Sequence, residues 1–454
     1  MSTRALLRDA ANRAANYLEA INSRSVGPIP AAISGLARFD RDLPEHPLEP
    51  AAILRELDET GSPGTSTSAG GRYFGFVIGG TLPTALAANM LATAWDQNAG
   101  LVVISPTSAK LETVALRWLL DVLRLPATSG AGFVTGATMA NFTCLAAARH
   151  ALLRRAGWNV EEQGLFGAPP LTVIVGDEVH ITLLKALSLL GLGRARVTRV
   201  PTDEQGRMRA DLLPPLDDRT ILCLQAGNVN TGAVDPMAEL IARARAAGAW
   251  VHVDGAFGLW AAAAPKRAPL VAGVEHADSW ALDAHKWLNV PYDSGVAICR
   301  DASALHGATA VSAAYLVQGG EREPAEYTPE LSRRARGVDI WAAMSSLGRS
   351  GIAELIERNC LQAARFGDGL RDAGFEILND VVLNQVLVSF GEDEATRRVI
   401  AAVQSDGTCW CGGTVWHGRT AMRISVSSWA TTDDDVELSL AAIARVASEV
   451  LATH

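Results

Sequence analysis

The stretch Ser279-Trp280-Ala281-Leu282-Asp283-Ala284-His285-Lys286-Trp287-Leu288 places a lysine directly after a histidine and between two tryptophans. Burying an ammonium among tryptophans is costly unless it is paired or used covalently. A desolvated lysine is a nucleophile in its neutral form and can form a Schiff base with a carbonyl. The competing reading lays the lysine stem on Trp287 and lifts the charge into water. For a lone lysine the second reading is the commoner, so the choice rests on the residues that accompany it.

Upstream lies Val251-His252-Val253-Asp254-Gly255-Ala256-Phe257-Gly258. Trp250 to Val253 reads as a short buried strand, with Asp254 at its carboxyl end and small residues after it. Open α/β sheets bind ligands outside the carboxyl ends of their strands, where a working carboxylate would sit. A pyridoxal phosphate site needs such a pair: a lysine for the imine, and a carboxylate that keeps the pyridine nitrogen protonated. The ordinary alternative for Asp254 is a cap on the next helix.

Three more constellations carry possible chemistry. Thr135-Gly136-Ala137-Thr138 precedes a helix predicted from Met139 to Leu153, where backbone N–H groups and the helix dipole favour an anion. An ordinary threonine N-cap has the same look. His180 falls just beyond a strand ending at Gly176, where an imidazole can stack on a planar ring; a helix-capping or core histidine is the alternative. Tyr315, followed by a polar stretch from Gln318 to Thr328, suits a general acid on a closing loop that also excludes water. An ordered core tyrosine is its alternative, and Tyr327 is the reserve candidate for the acid.

His-Val-Asp-Gly-Ala-Phe-Gly followed by Asp-Ala-His-Lys-Trp-Leu resembles the group II pyridoxal-phosphate decarboxylases, relatives of the aromatic-amino-acid and glutamate decarboxylases. The resemblance spans about residues 70 to 430, with its motifs in the family's order. It implies phosphate contacts from Gly136, Ala137, Thr138 and His285, with Ser279 as a further candidate. It also implies His180 stacked on the cofactor, Ala256 beneath the ring, and Lys286, Asp254, His180 and Tyr315 as the catalytic set. Thr182 replaces a usual serine after the histidine, and Asp283 stands where aromatic-amino-acid relatives carry asparagine. After Gly227 the family usually has two threonines; this chain has Asn228 and Val229, with Asn228 or Asn230 as substitute hydrogen-bonding groups. Tyr73, Phe74 and Phe76 fall on an aromatic-rich His-Pro-x-Phe-Phe element that lines the family's substrate pocket; Gly71-Arg72 stands here in place of His-Pro, with Arg72 either pairing a substrate carboxylate or a solvated arginine. The implied fold is the fold-type-I α/β architecture, a seven-stranded mostly parallel sheet with a small C-terminal α+β domain and an N-terminal arm. The implied assembly is a homodimer with shared active sites, in which Tyr315 and Phe76 act on the partner's cofactor. The implied reaction is decarboxylation of an L-amino acid to its amine. Oxidative deamination to an aldehyde, transamination and Cα–Cβ cleavage remain open as outcomes of the same cofactor.

The organisation of the chain agrees with such a fold. Apolar runs at 172–176, 196–200, 220–225, 250–253 and 295–299 alternate with helical segments, which argues for a largely parallel sheet covered on both faces. Residues 1–70 read as a helical arm broken by prolines, 71–338 as the cofactor-binding domain, and 339–454 as a small domain opening on a long helix over 339–372. The 454 residues are 48% hydrophobic and 20% charged, enough for a large core. A net charge of −9 gives no electrostatic case for nucleic acid or an anionic membrane. No run of about 18 apolar residues suggests a membrane span. Six scattered cysteines, with Cys409 and Cys411 the only close pair, suit reduced thiols in a cytoplasmic protein and make no zinc site. Gly191-Leu192-Gly193 hints at a nicotinamide-dependent dehydrogenase, but it lacks a third glycine and precedes a strand instead of following one. A non-catalytic α/β protein would leave Lys286, Asp254, His180 and Tyr315 all incidental.

Overall fold

Short runs rich in valine, isoleucine, alanine and glycine build the central sheet of the computed structural model, which describes residues 1–311 and 322–452. They are β1 (Gly130–Val134), β2 (Thr172–Gly176), β3 (Thr198–Val200), β4 (Thr220–Gln225), β5 (Trp250–Asp254), β6 (Ser279–Asp283) and β7 (Gly295–Cys299). Their order is β1-β7-β6-β5-β4-β2-β3. β2, β3, β4, β5 and β6 pair in parallel, whereas β7 runs antiparallel to both β6 and β1. The largely parallel sheet expected from the alternation is therefore present, with the seven strands that the resemblance implies. Two of its strands, β1 and β6, were not among the expected runs. β1 reads Gly-Ala-Gly-Phe-Val, with little β-branched content. β6 is hidden in the apolar segment that leads to the lysine.

Helices α1 (Pro106–Val122), α2 (Ala137–Arg155), α3 (Ile181–Leu189), α4 (Met237–Ala246) and α5 (Ala302–Thr309) accompany the sheet. α2 is largely buried, with Ala140, Cys144, Leu145, Ala147 and Leu152 at zero exposure, and its small residues let it lie close against the strands. Its Leu145 and Leu152 join Val175, Leu187, Ile221 and Trp250 in one apolar cluster. Glu112 on α1 is buried and receives two guanidinium groups, Arg333 at 2.8 Å and Arg322 at 3.0 Å. That pairing gives Arg333 a structural role.

Residues 81–361 and 379–385 form one compact unit, and residues 1–80, 362–378 and the chain from 386 onward form the other. The separate arm over 1–70 thus gives way to a first segment that belongs with the C-terminal residues. The boundary expected at 338/339 falls inside a helix, α6 (Arg336–Asp372), whose regular backbone is broken only at Gly348 (φ 61°, ψ 179°). In the second unit, β8 (Glu376–Ile377), β9 (Gln385–Ser389), β10 (Gly412–Trp416) and β11 (Arg419–Ser425) make a small sheet in the order β10-β11-β9-β8. His417 and Gly418 turn β10 into β11 with φ of 47° and 79°, the left-handed pair a two-residue hairpin requires. Pro30 and Pro50 open short helices in the first segment, where a missing N–H is harmless.

Candidate active site

The carboxyl ends of β4, β5 and β6 deliver Gln225, Asp254 and Asp283 to the rim of one cavity of about 380 Å³. Thr135, Gly136, Ala137 and Thr138 at the start of α2 line it, as do His180, Thr182, Gly227, Val229, Ala256, Phe257, His285, Lys286 and Tyr292. Motifs far apart in sequence meet here because parallel strands end on the same edge of the sheet.

Lys286 follows β6 in a turn, and its Nζ lies 3.0 Å from Asp283 Oδ2. It also lies over the Phe257 ring, 5.9 Å from the centroid. The flanking tryptophans are elsewhere. Trp280 points into the core and donates to the Val274 carbonyl at 2.9 Å, and Trp287 donates to Asn359 at 3.0 Å. The amine is partly buried and has a carboxylate partner, one of the two ways a buried ammonium can be accommodated.

Asp283 also accepts the Ala137 backbone N–H at 2.6 Å and lies 3.5 Å from His285 Nε2. His285 Nδ1 accepts the Ser294 N–H at 3.1 Å, which leaves the proton of the neutral ring on Nε2, facing Asp283. Burial holds the His285 imidazole below its ordinary value, against the pull of Asp283. Tyr292 stacks on this imidazole with centroids 4.2 Å apart. Nothing in the local sequence marks Tyr292 or Gln225, which reach the rim only through the fold.

His180 caps α3: its Nδ1 lies 2.7 Å from Thr182 Oγ1 and accepts the Thr182 N–H at 3.4 Å. The capping role weighed for this histidine and a place at the cavity are therefore compatible. Asp254 accepts the Asn141 amide at 3.0 Å on Oδ2 and the Ala256 N–H at 3.2 Å on Oδ1.

Several expected contacts are corrected. Ser279 stands at the start of β6, fully buried, bonded to Trp250 Nε1 and His252 Nδ1, and does not line the cavity. Asn228 is buried, and its Oδ1 accepts the N–H groups of Asn230 and Thr231, closing a turn; its neighbours Gly227 and Val229 reach the cavity instead. Tyr73 stacks on Trp410 at 5.0 Å, Phe74 packs edge-on against Phe366, and Arg72 pairs with Asp435 at 3.7 Å, so these three serve the packing of their own unit. Phe76 is 60% exposed. Tyr327 is partly buried, packs against His306 and beneath Arg322, and does not line the cavity. Tyr315 lies outside the described residues.

The residues fit pyridoxal phosphate. Gly136 leaves room where a Cβ would sit 3.0 Å from the His285 ring and 3.2 Å from Asp283. That open turn, a helix N-terminus, an amine and a carboxylate supply what phosphate, aldehyde and ring nitrogen each require. Fold and site together define a fold-type-I pyridoxal-phosphate enzyme.

Comparison with known proteins makes the assignment specific. A model described as the pyridoxal-dependent decarboxylase conserved domain matches residues 34–391, and the chain belongs to that family. It is 28% identical over 439 residues to tryptophan decarboxylase 1 of Oryza sativa subsp. japonica, covering 88% of this chain and 84% of that one. It is 26% identical over 439 residues to a phenylacetaldehyde synthase of Arabidopsis thaliana, covering 90% and 88%. A crystal structure of Oryza sativa TDC with PLP and tryptamine matches with a TM-score of 0.89 at 25% identity, over 98% of this chain and 97% of that one. The protein is a pyridoxal-phosphate-dependent amino acid decarboxylase.

Two expected results arise from this geometry. A Cβ added at Gly295 would lie 2.7 and 2.8 Å from the Gly136 carbonyl carbon and nitrogen, so one backbone must move. Gly295→Ala is expected to weaken cofactor binding about tenfold, the scale of an overpacked contact. Titration of the visible band with cofactor measures it. His252 is fully buried, and burial depresses its pKa to about 3. The unfolded chain therefore takes up a proton below about pH 6.5 that the folded protein refuses. Stability from this group is present above that pH and falls by about 1.4 kcal/mol per unit as pH drops toward the folded value. Urea melts between pH 7 and pH 4 are expected to show that slope and to lose it in His252→Gln.

Proposed function

We propose that this enzyme decarboxylates an L-amino acid to the corresponding amine with Lys286 as its covalent and proton-transferring residue. The observation that carries the reading is the convergence of Lys286, Asp254 and the α2 N-terminus on one cavity. Bound pyridoxal phosphate supplies an aldehyde for the amine and a ring that takes up the electrons of the breaking Cα–carboxylate bond. Gly136, Ala137, Thr138 and His285 hold the phosphate. Asp254 accepts a hydrogen bond from the ring nitrogen, Ala256 keeps the floor shallow, and His180 stacks on the ring in an orientation set by Thr182. Lys286 gives up its place to the substrate amine and later releases the product. Asp283, 3.0 Å from its Nζ, is placed to hold the proton exchanged in those steps. Tyr315 donates a proton to Cα, and Tyr315→Phe is expected to lower the rate of amine formation about a hundredfold, the lower range for a lost general acid.

A second outcome, oxidative deamination to an aldehyde, is favoured by the likeness to a phenylacetaldehyde synthase. Holoenzyme incubated under air with tryptophan, tyrosine, phenylalanine and 2,4-diaminobutyrate separates the two: CO2 with amine and no O2 uptake supports the first, whereas consumption of dissolved O2 with release of CO2, aldehyde, ammonia and hydrogen peroxide supports the second. No CO2 from any amino acid would sink both. The active form we propose is a homodimer. Met90, Leu91, Trp95, Val103 and Ile104 support it, as large apolar side chains left exposed in one stretch of the large unit. Light scattering tests it. Among the described residues no helix is long and apolar enough to cross a membrane. The six free, buried cysteines support a cytoplasmic location.

A further inference from the structure

Behind Asp254, buried polar side chains form a file that runs away from the cavity. Successive side chains on a strand alternate faces, so Trp250, His252 and Asp254 of β5 share one. β6 pairs in register with Ser279 opposite His252. Trp250 Nε1 donates to Ser279 Oγ at 2.9 Å, and Ser279 Oγ lies 3.0 Å from His252 Nδ1. His252 Nε2 lies 2.8 Å from Asn141 Oδ1, and Asn141 Nδ2 donates to Asp254 Oδ2 at 3.0 Å. Ser279, His252 and Asn141 have no exposed surface.

The chemistry of the two ends fixes every proton between them. An indole N–H only donates, and a carboxylate only accepts. Ser279 therefore accepts from Trp250 and gives its own proton to His252 Nδ1. His252 then carries its single proton on Nε2 and donates it to the Asn141 carbonyl, which turns the amide N–H toward Asp254. Burial keeps the imidazole neutral, in agreement with one proton on the ring. A buried polar chain stabilises no better than apolar residues of the same volume, so its use on this face calls for a role at its end.

We propose that His252 and Asn141 are positioning residues that present a fixed amide donor to Asp254 and so keep the proton it shares with the cofactor on the ring nitrogen. The inference rests on the reading of Asp254 as the ring-nitrogen partner. A carboxylate that accepts hydrogen bonds from Asn141 and Ala256 is stabilised as the anion, and its partner retains the proton. Deprived of Asn141, the carboxylate draws the proton toward itself, and the ring becomes a weaker electron sink.

The test is 15N NMR of holoenzyme reconstituted with pyridoxal 5'-phosphate labelled at the ring nitrogen, alongside steady-state kinetics. His252→Phe is expected to move the resonance from the protonated toward the neutral position, in the direction given by Asp254→Asn. It should lower kcat about tenfold with little change in KM, the scale of one hydrogen bond to a charged group. His252→Gln, whose amide can both accept from Ser279 and donate to Asn141, should restore the wild-type resonance. Ser279→Ala, a smaller change, should shift it in the same direction as His252→Phe and serves if that variant does not fold. Wild-type resonances in the folded His252→Phe or Ser279→Ala holoenzyme would overturn the proposal. An unchanged resonance in Asp254→Asn would instead remove the reading of Asp254 on which it rests.

Discussion

Lys286→Ala is expected to abolish the visible absorption of the cofactor-loaded protein and to reduce turnover on the order of 10^4-fold. The amine performs two tasks in the proposed mechanism, covalent attachment and proton transfer. A positioned proton-transfer group alone accounts for roughly 10^2- to 10^4-fold. Removing it also leaves Asp283 without the cation 3.0 Å away, although the Ala137 N–H at 2.6 Å still partners that carboxylate. The fold should survive, because Lys286 lies in a turn after β6 and the buried Trp287 beside it keeps its hydrogen bond to Asn359. Absorbance after reconstitution and single-turnover CO2 release measure the two losses separately. A variant that keeps both the band and turnover would dismiss the lysine.

Asp254→Asn is the second large expectation. The change keeps the shape of the side chain but removes the charge that a protonated ring nitrogen would face. Breaking one partner out of a buried charge pair costs roughly 3–5 kcal/mol, which corresponds to a few hundred- to a few thousandfold in rate. The variant also brings a second amide against the Asn141 Nδ2, so a donor faces a donor unless one of them turns. We expect the loss chiefly in kcat, with cofactor still bound through the phosphate turn and Lys286. If kcat stays within about tenfold of wild type, Asp254 is a cap and not the ring partner.

Much of the fold was legible in sequence. Strands β2, β4, β5 and β7 and helices α2 and α6 were readable to within a few residues, because apolar runs broken by glycine and proline leave few alternatives. The residue types at strand ends also pointed to the cavity: an aspartate closing β5 and a lysine after β6 are unusual among otherwise apolar runs. A resemblance of motifs in order supplied the cofactor.

The errors share one cause. Ser279 and Asp283 are four residues apart in one strand, and at about 3.3 Å per residue they stand roughly 13 Å apart. Which of them meets the cavity depends on where the strand begins, and nothing local marks that point. Asn228 looks like a hydrogen-bonding substitute until the turn it closes is seen. Tyr73, Phe74 and Arg72 look like pocket residues until Trp410, Phe366 and Asp435 appear beside them. Sequence determined the class of chemistry, because lysine, aspartate and a glycine turn are chemical types that few other sites need together. Tertiary structure alone decided that Asp283 pairs with Lys286, that Tyr292 covers His285, and that Trp250, Ser279, His252 and Asn141 line up behind Asp254. Asp283 and Lys286 meet through the turn that follows β6, and Tyr292 and His285 through the loop beyond it. Trp250, Ser279, His252 and Asn141 belong to two strands and a helix, and only the register of the sheet and the packing of α2 bring their atoms within hydrogen-bonding reach.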